Sequence, residues 1–523
     1  MIPSWEDVRV GTRFLRDLPG VLRHPFDLPA ARRELERRLA TRADALLHHV
    51  RDLARRQGPY RVLLDHAGLR SEDVAELVTA RGLEEALEVI AAAGVYLTNL
   101  EMRGRTPVRR GSLTFDVKPA DLIRPGAVVH GLSTTGGSRG APAVVPIDLE
   151  FVRDHAIDTH LTLECHGGRD WAHAHWGAPG GTAVTNPIEF AAGGRPLRRW
   201  FTPIDPRARG LHSRYRAGSL AMRLGGFLGG VSLPGPTLAP LDDPMPLVLW
   251  LRDTLDAGET PHVWTFASSA VLAARAATDA GIDIEGARFT GGGEPTTRAR
   301  LEAVAATGAR MLPRYGATET DIIAYACAAP DSADDQHLLE DRHAVIQAPA
   351  TLRDTLPEGS LLFTSLLPSA PFQLLNASLG DVAELADRDC GCPLEAMGWQ
   401  RHVGRIRSFE KLTAGGITFL DVDVIRVLEE TLPAAFGGDA THYQLVEDTT
   451  EPGTAPRVRL HVHPEVGDLD VEEVGDVFLA AIGGGDSGER LMELQWRGSG
   501  ALKVVRAPPL RTGSGKIHHL HAV

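Results

Sequence analysis

Lysine is nearly missing from this chain. Of its 55 basic residues only Lys118, Lys411, Lys503 and Lys516 are lysines, and the rest are arginine. The bias is compositional, running with the high glycine and alanine content. An arginine at any one position therefore says little, and each lysine stands out. Cysteine is scarce too: four in 523 residues cannot form a disulfide framework, which fits a reducing compartment. No apolar run approaches the roughly 20 residues that span a bilayer. The opening Met1–Gly11 has no basic stretch leading into an apolar one, so the expectation is an unprocessed cytoplasmic protein with no membrane partner. A basic excess is absent as well. The net charge of −13 argues against a nucleic-acid partner. There is no internal repeat and no long low-complexity segment, and the 43% hydrophobic and 24% charged composition is that of a folded globular chain.

The length predicts more than one domain. Residues 1–120 read as largely helical, with apolar residues at three- and four-residue spacing over Pro29–Ala54 and Ser71–Ala93. From about Pro125 short β-branched runs (Ala127–His130, Ala143–Ile147, Pro246–Leu251, Gly359–Leu367) alternate with helical stretches such as Ala267–Ala280 and Arg298–Thr307. That alternation predicts an α/β class with layered, buried sheets. A composition shift near Gly404–Ser408 divides residues 1–406, the large body, from 407–523, a small α+β domain with helices at Asp421–Thr431 and Val471–Ala481 and strands at Tyr443–Val446 and Val458–Val462.

Three segments can carry chemistry. Ser133–Pro142 (STTGGSRGAP) follows an apolar run, and its glycines and hydroxyls can present backbone N–H and O–H donors to a phosphate chain; a solvent loop is the plain alternative. The same residues contain the Gly-x-Ser-x-Gly pattern of a serine hydrolase with Ser138 as nucleophile, but that elbow needs a helix next, and the following Ala141–Pro146 reads as a strand. Arg511–Ile517 (RTGSGKI) fails the Walker A pattern at Leu510 and Ile517, yet places one of four lysines at the tip of a Gly-Ser loop; the alternative is a frayed tail. Arg314–Glu319 (RYGATE) groups an aromatic ring, a hydroxyl and a carboxylate able to stack a base, touch a phosphate and hold Mg²⁺.

Together, in order and spacing, these segments resemble the acyl-adenylate-forming superfamily. Thr135 to Pro142 is similar to its phosphate loop at Thr135, Gly137, Ser138, Gly140 and Pro142. Tyr315–Glu319 resembles its Tyr-Gly-x-Thr-Glu, and Leu379–Asp381 its Thr-Gly-Asp. Gly404–Arg405 is similar to the opening of its interdomain hinge, and Arg511–Ile517 to its Arg-Thr-x-Ser-Gly-Lys-Ile. The phenylacetate–CoA ligase branch is the nearest in likeness, through His48–Leu69, Phe266–Gly281, the turn Gly292–Pro295, Cys327 with His337–Asp341, and Cys390–Cys392.

The resemblance implies a ligase that activates an aromatic or similar carboxylic acid with ATP and Mg²⁺, releasing pyrophosphate, and passes it to coenzyme A; a carrier protein, an amine or another nucleophile is the alternative acceptor. By it Thr135, Gly137, Ser138 and Gly140 would hold phosphates, and Tyr315 and Gly316 would meet adenine beside Gly293, Glu294 and Pro295. Thr318 would touch the α-phosphate, Glu319 bind Mg²⁺, Asp381 and Arg405 face the ribose, and Lys516 bridge the attacking carboxylate and the phosphate. A homodimer is consistent with that branch. Three departures stand out: Arg139 in the phosphate loop, Arg407–Ser408 where the hinge usually carries acidic residues, and a Lys411–Gly416 stretch one residue longer than usual. Cys327, His337, Cys390 and Cys392 form a Cys₃His set suited to structural tetrahedral zinc, or else are packed thiols with a surface histidine. Cys165 reads as packing. His173 and His175 read as surface residues that can also line an acyl pocket, Trp264 and Phe266 as core or pocket wall, and His518, His519 and His521 as solvated tail.

Overall fold

Among the described residues seven helices open the chain where periodicity outlined fewer, in part because two residues interrupt them. The computed structural model describes residues 5–134, 144–178, 182–208, 213–408, 413–414, 417–418, 422–448, 457–483, 502–512 and 514–522. Thr135, Gly137, Ser138, Arg139 and Gly140 lie outside the described residues, as do Lys411 and much of Lys411–Gly416. The expected Pro29–Ala54 helix is two, Leu28–Ala40 and Arg42–Arg55, divided at Thr41, whose N–H closes on the Arg37 and Arg38 carbonyls. Ser71–Ala93 is likewise split into Ser71–Arg81 and Leu83–Ala92 by Gly82 at φ +86°, a conformation that ends a helix and that glycine adopts without strain. These helices pack Leu46, Val50, Leu63, Leu87 and Ile90 against Leu361 and Phe363 of the main sheet and Leu374 beside it.

That sheet has 12 strands. One half is antiparallel and runs His343–Gln347, Ser360–Ser365, Ala377–Asp387, Arg401–Ser408, Gln336–Leu338 and Asp321–Ala326. The other half continues with Arg310–Ala317, Arg288–Gly292, Pro261–Phe266, Ala172–Trp176, Arg199–Thr202 and Pro236–Leu238, each parallel to the next. Ala172–Trp176 is buried along its whole length, as expected of a parallel strand covered on both faces. Two expectations fail here. Pro246–Leu251 is not a strand but part of the helix Met245–Asp256, which buries Leu247, Val248, Leu251 and Thr254; six residues are too few to reveal that spacing. Ala127–His130 precedes its strand, which is Gly131–Thr134, paired antiparallel with Val144–Ile147.

The C-terminal segment has its own sheet, ordered Leu502–Arg506, Arg457–Val462, Tyr443–Asp448, Leu520–Ala522. Its core of Val424, Leu428, Leu445, Leu460, Phe478 and Leu520 is separate from the others, and the helix Val471–Ile482 covers it. Among the described residues no helix is long and apolar enough to cross a membrane.

Histidine is concentrated in the interior, which corrects the surface reading of His173 and His175: both are only 3% exposed. Burial drives His49 and His160 down to about 4, and His155, His175, His262 and His343 down to about 3. The unfolded chain would bind protons at these six rings below pH 6.5 while the folded chain does not. Burial raises Glu189 to about 7 and raises Asp158, an opposing effect of two groups against six. Stability is therefore expected to fall as pH drops from 6.5 towards 4, and a series of urea midpoints across that range checks it; a flat profile would contradict the folded-state burial of these rings.

Candidate active site

Parallel register brings the segments singled out in the sequence to one end of the sheet. Phe266 lies opposite Gly292, and Gly292 opposite Arg314, so the Gly293–Pro295 turn and Tyr315–Glu319 emerge side by side at the carboxyl ends of the strands, where open α/β sheets bind ligands. Gly316 is required by space: a Cβ there would lie 2.5 Å from the Asp321 carbonyl oxygen. The register slips between Tyr315 and Gly316, which turns the Tyr315 ring into the protein. Its hydroxyl donates to Asp381 Oδ2 at 2.7 Å, and burial together with that carboxylate pushes the phenol above its ordinary value. Glu319 is buried with an oxygen 3.5 Å from the Arg103 guanidinium, and Thr318 is exposed.

The tail is not frayed. The Thr512 hydroxyl accepts from Lys516 N–H at 3.0 Å and lies 2.9 Å from Ser514 Oγ, while Thr512 N–H donates to the Lys516 carbonyl at 2.9 Å. Gly515 supplies the φ of +95° that this tight loop needs. Ile517 N–H then donates to Glu294 Oε1 at 2.6 Å. As a result the Lys516 ammonium sits 4.8 Å from the centre of the Phe266 ring and against Gly293, where a Cβ would come within 2.8 Å of it. Gly293 is at φ +74°, so side chains are excluded there by both conformation and space.

Glu294 is fully engaged by protein. Besides Ile517 it accepts from Ser268 N–H at 2.8 Å and Ser268 Oγ at 3.0 Å, and from Arg300 at 3.1 Å. Arg300 reaches Glu429 of the C-terminal segment at 2.8 Å, and His519 meets Glu429 at 2.6 Å. Thr297 donates to the same carboxylate. Burial opposes ionisation of Glu429, but Arg300 and His519 outweigh it and its carboxyl lies below its ordinary value. His518 and His519 are buried, correcting their reading as solvated. None of Arg300, Glu429 or Ser268 lies in a recognisable motif, and nothing in the sequence announces that they meet.

Arg405 is placed differently from the other nucleotide candidates. Its guanidinium pairs with Glu384 at 2.9 Å in an exposed ion pair, at φ +52°. Its N–H and that of Ile406 donate to Asp334, which also accepts from Arg407. Farther along the sheet, ligand atoms of Cys327, His337, Cys390 and Cys392 all lie within 4.8 Å of one another. His337 Nε2 is 3.2 Å from Cys392 Sγ and 3.5 Å from Cys390 Sγ, and its other ring nitrogen bonds the Trp399 carbonyl at 2.7 Å. His337 is fully buried rather than on the surface. Cys165 packs against a neighbouring apolar cluster.

Glu294→Gln is expected to loosen the tail, since an amide cannot accept from Ser268, Arg300 and Ile517 at once; a loss of about 1–3 kcal/mol and faster proteolysis near residue 510 should result. Unchanged proteolysis would show that Glu294 does not anchor the tail.

No protein-family model matches the sequence, and no curated protein matches it. Solved structures do. A 2-hydroxyisobutyryl-CoA ligase in its postadenylation state is 14% identical, with a TM-score of 0.55 over 92% of this chain and 89% of that chain. The same ligase in its thioesterification state is 16% identical (TM-score 0.48, 92% and 90% covered). ATP-bound MatB from Rhodopseudomonas palustris is 13% identical (TM-score 0.43, 92% and 91% covered). The fold of this chain, a large α/β body with a smaller C-terminal α+β unit, is similar to that of the 2-hydroxyisobutyryl-CoA ligase.

Proposed function

We propose that this protein is an ATP-dependent, AMP-forming ligase of the phenylacetate–CoA ligase type, which adenylates a carboxylic acid with an aromatic or similar body and transfers the acyl group to coenzyme A. The observation that carries this reading is the position of Lys516, held at the carboxyl ends of the parallel strands beside Gly293 and Phe266. In the adenylation step a carboxylate oxygen of the acid attacks the α-phosphorus of ATP. A new P–O bond forms as the bond to the β-phosphate breaks, and pyrophosphate leaves with the electron pair.

Negative charge accumulates on the α-phosphate as this happens. An ammonium already fixed at that point stabilises it without reorganisation, an effect typically worth about 100- to 1,000-fold in rate. The Thr512 loop and the Glu294 anchor supply that fixation. On this reading Asp381 accepts from the ribose hydroxyls, with Tyr315 oriented by the same carboxylate, and Thr318 contacts the α-phosphate. Glu319 is the carboxylate that would hold Mg²⁺, which neutralises phosphate charge when bound; it is buried with an oxygen 3.5 Å from the Arg103 guanidinium. Thioester formation would require the C-terminal segment to turn away. The contacts that must then part are Ile517–Glu294 and Arg300–Glu429, together with the Arg275–Glu465 pair.

The hydrolase alternative at Ser138 calls for a helix directly after the nucleophile, whereas Val144–Ile147 is a strand. Pyrophosphate release with ATP, Mg²⁺ and a panel of aryl and alkyl acids tests the ligase reading. Acid-dependent release that falls at least about 100-fold in Lys516→Ala is expected. Release independent of acid, or unaffected by the substitution, would refute adenylation. Free-CoA consumption then distinguishes coenzyme A from a carrier protein or an amine as acceptor.

We also propose that Cys327, His337, Cys390 and Cys392 hold a structural zinc ion. With Zn–S of about 2.3 Å and Zn–N of about 2.0–2.1 Å, tetrahedral ligands stand about 3.6 Å apart, close to the His337–cysteine spacings, and the Trp399 carbonyl fixes the ring with Nε2 directed at the thiols. Purified protein should carry one zinc per chain by elemental analysis, lost in Cys392→Ser with a lowered melting temperature. Zinc-free protein of undiminished stability would overturn this.

A further inference from the structure

One residue along the same strand end from the glycine that Lys516 meets, the structure holds another cation, Arg314. Arg314 is half-buried, and no hydrogen bond or ion pair joins its guanidinium to any described residue. Its carbon lies 4.3 Å from the centre of the Trp264 ring. Room has been made for it: a Cβ on Gly292 would fall 3.0 Å from Arg314 Nε and 3.4 Å from a terminal nitrogen. Gly292 and Gly293 are consecutive, with α carbons about 3.8 Å apart. One of them clears space for the Arg314 guanidinium, the other for the Lys516 ammonium.

Two nearby acids, Asp321 and Glu189, attract Arg314 through space without contacting it. Glu189 and Asp321 both turn to His155, at 3.1 and 3.3 Å, and neither forms an ion pair with the guanidinium. Burial raises Glu189 to about 7, so at neutral pH it carries only part of a charge. Burial also presses Arg314 below its ordinary value, yet a guanidinium stays charged in proteins. A desolvated cation without a counter-ion is costly. With its carbon over the Trp264 ring, the guanidinium still carries the planar fork of N–H donors that matches a carboxylate. Trp264 and Phe266 share one strand face at i and i+2, so the wall between the two cations is aromatic.

We propose that Arg314 binds a second carboxylate on the acid substrate, and that the enzyme activates a dicarboxylic acid whose reacting carboxylate meets Lys516 while its distal one meets Arg314. This rests on the adenylation reading and narrows it to a substrate class. A compact aromatic or aliphatic spacer between the two carboxylates suits the Trp264–Phe266 wall. A monoacid of the same shape would leave the half-buried guanidinium unpaired, and sites built for a polar group reject the analogue lacking it strongly.

The test is pyrophosphate release with matched pairs: terephthalate against benzoate, 4-carboxyphenylacetate against phenylacetate, and glutarate against butyrate. In wild type at least one diacid should exceed its monoacid in kcat/KM by about 100-fold or more. Arg314→Gln should collapse that ratio towards unity, and Arg314→Lys, which keeps the charge without the fork, should restore part of it. Equal use of both members of every pair by wild type, or a ratio that Arg314→Gln leaves unchanged, would overturn the proposal while leaving adenylation intact. If no acid of either kind supports release, the adenylation reading itself fails. Calorimetric titration with the diacids alone then decides the Arg314 site: binding that Arg314→Gln abolishes upholds it, and no binding, or binding the substitution does not alter, overturns it.

Discussion

Everything at this site depends on one buried carboxylate. Glu294 sits at the end of a parallel strand and, through Ile517 N–H, ties the C-terminal tail to the large body while also bonding Ser268 and Arg300. Together with the Arg300 bond to the Ile517 carbonyl at 3.4 Å, that bond sets where the loop carrying Lys516, and with it the ammonium, lies relative to Gly293 and Phe266. A lysine side chain is long and flexible. Its electrostatic value to any bound anion comes from being placed beforehand, and here that placement is passed from a carboxylate to a backbone N–H to the next residue along.

The same network couples the two units through charge. Arg300 stands between Glu294 of the body and Glu429 of the C-terminal segment, and His519 completes the chain. All are buried, where breaking one partner exposes a costly unpaired group. Such an arrangement favours two discrete states over continuous drift: either the whole set is made or the whole set is parted and solvated. A reaction with two successive half-reactions at one site is well served by a contact that is all or none. Around it the body is unusually rich in buried histidine, kept neutral by desolvation, so the interior offers polar positioning with little added charge.

Much of the site was legible in the sequence because turn chemistry is local. Gly316, Gly515 and the Thr512 hydroxyl are dictated by backbone geometry within a few residues, so they appear as a pattern that can be read directly. The Cys₃His set was legible for a different reason: few residue types bind soft metals, and four of them at once attract notice even 50 and more residues apart. Glu429, Arg300 and Ser268 were invisible, because an ordinary acid, base or hydroxyl carries no mark of the partner it will find across the fold. Arg314 was obscured by composition, lost among the arginines of a chain that has little else for a cation. The strand expected at Pro246–Leu251 failed because a short apolar run has no period of its own; the helix it belongs to shows only once Thr254 and the sheet beneath are included.

By itself the sequence determined the α/β class, the order of the Ser133–Pro142, Tyr-Gly-x-Thr-Glu and tail segments, and the loop geometries that glycine and threonine enforce at Gly316, Gly515 and Thr512, since these follow from short-range sterics and hydrogen bonding. Only the tertiary structure decided which charges are paired. Arg405 went to an exposed partner, Glu294 became a tether, His518 and His519 were buried, and Arg314 came to lie over Trp264 with no ion pair to a described residue. Charge pairing depends on distance and dielectric between residues far apart in the chain, and neither exists until the sheet has brought them together.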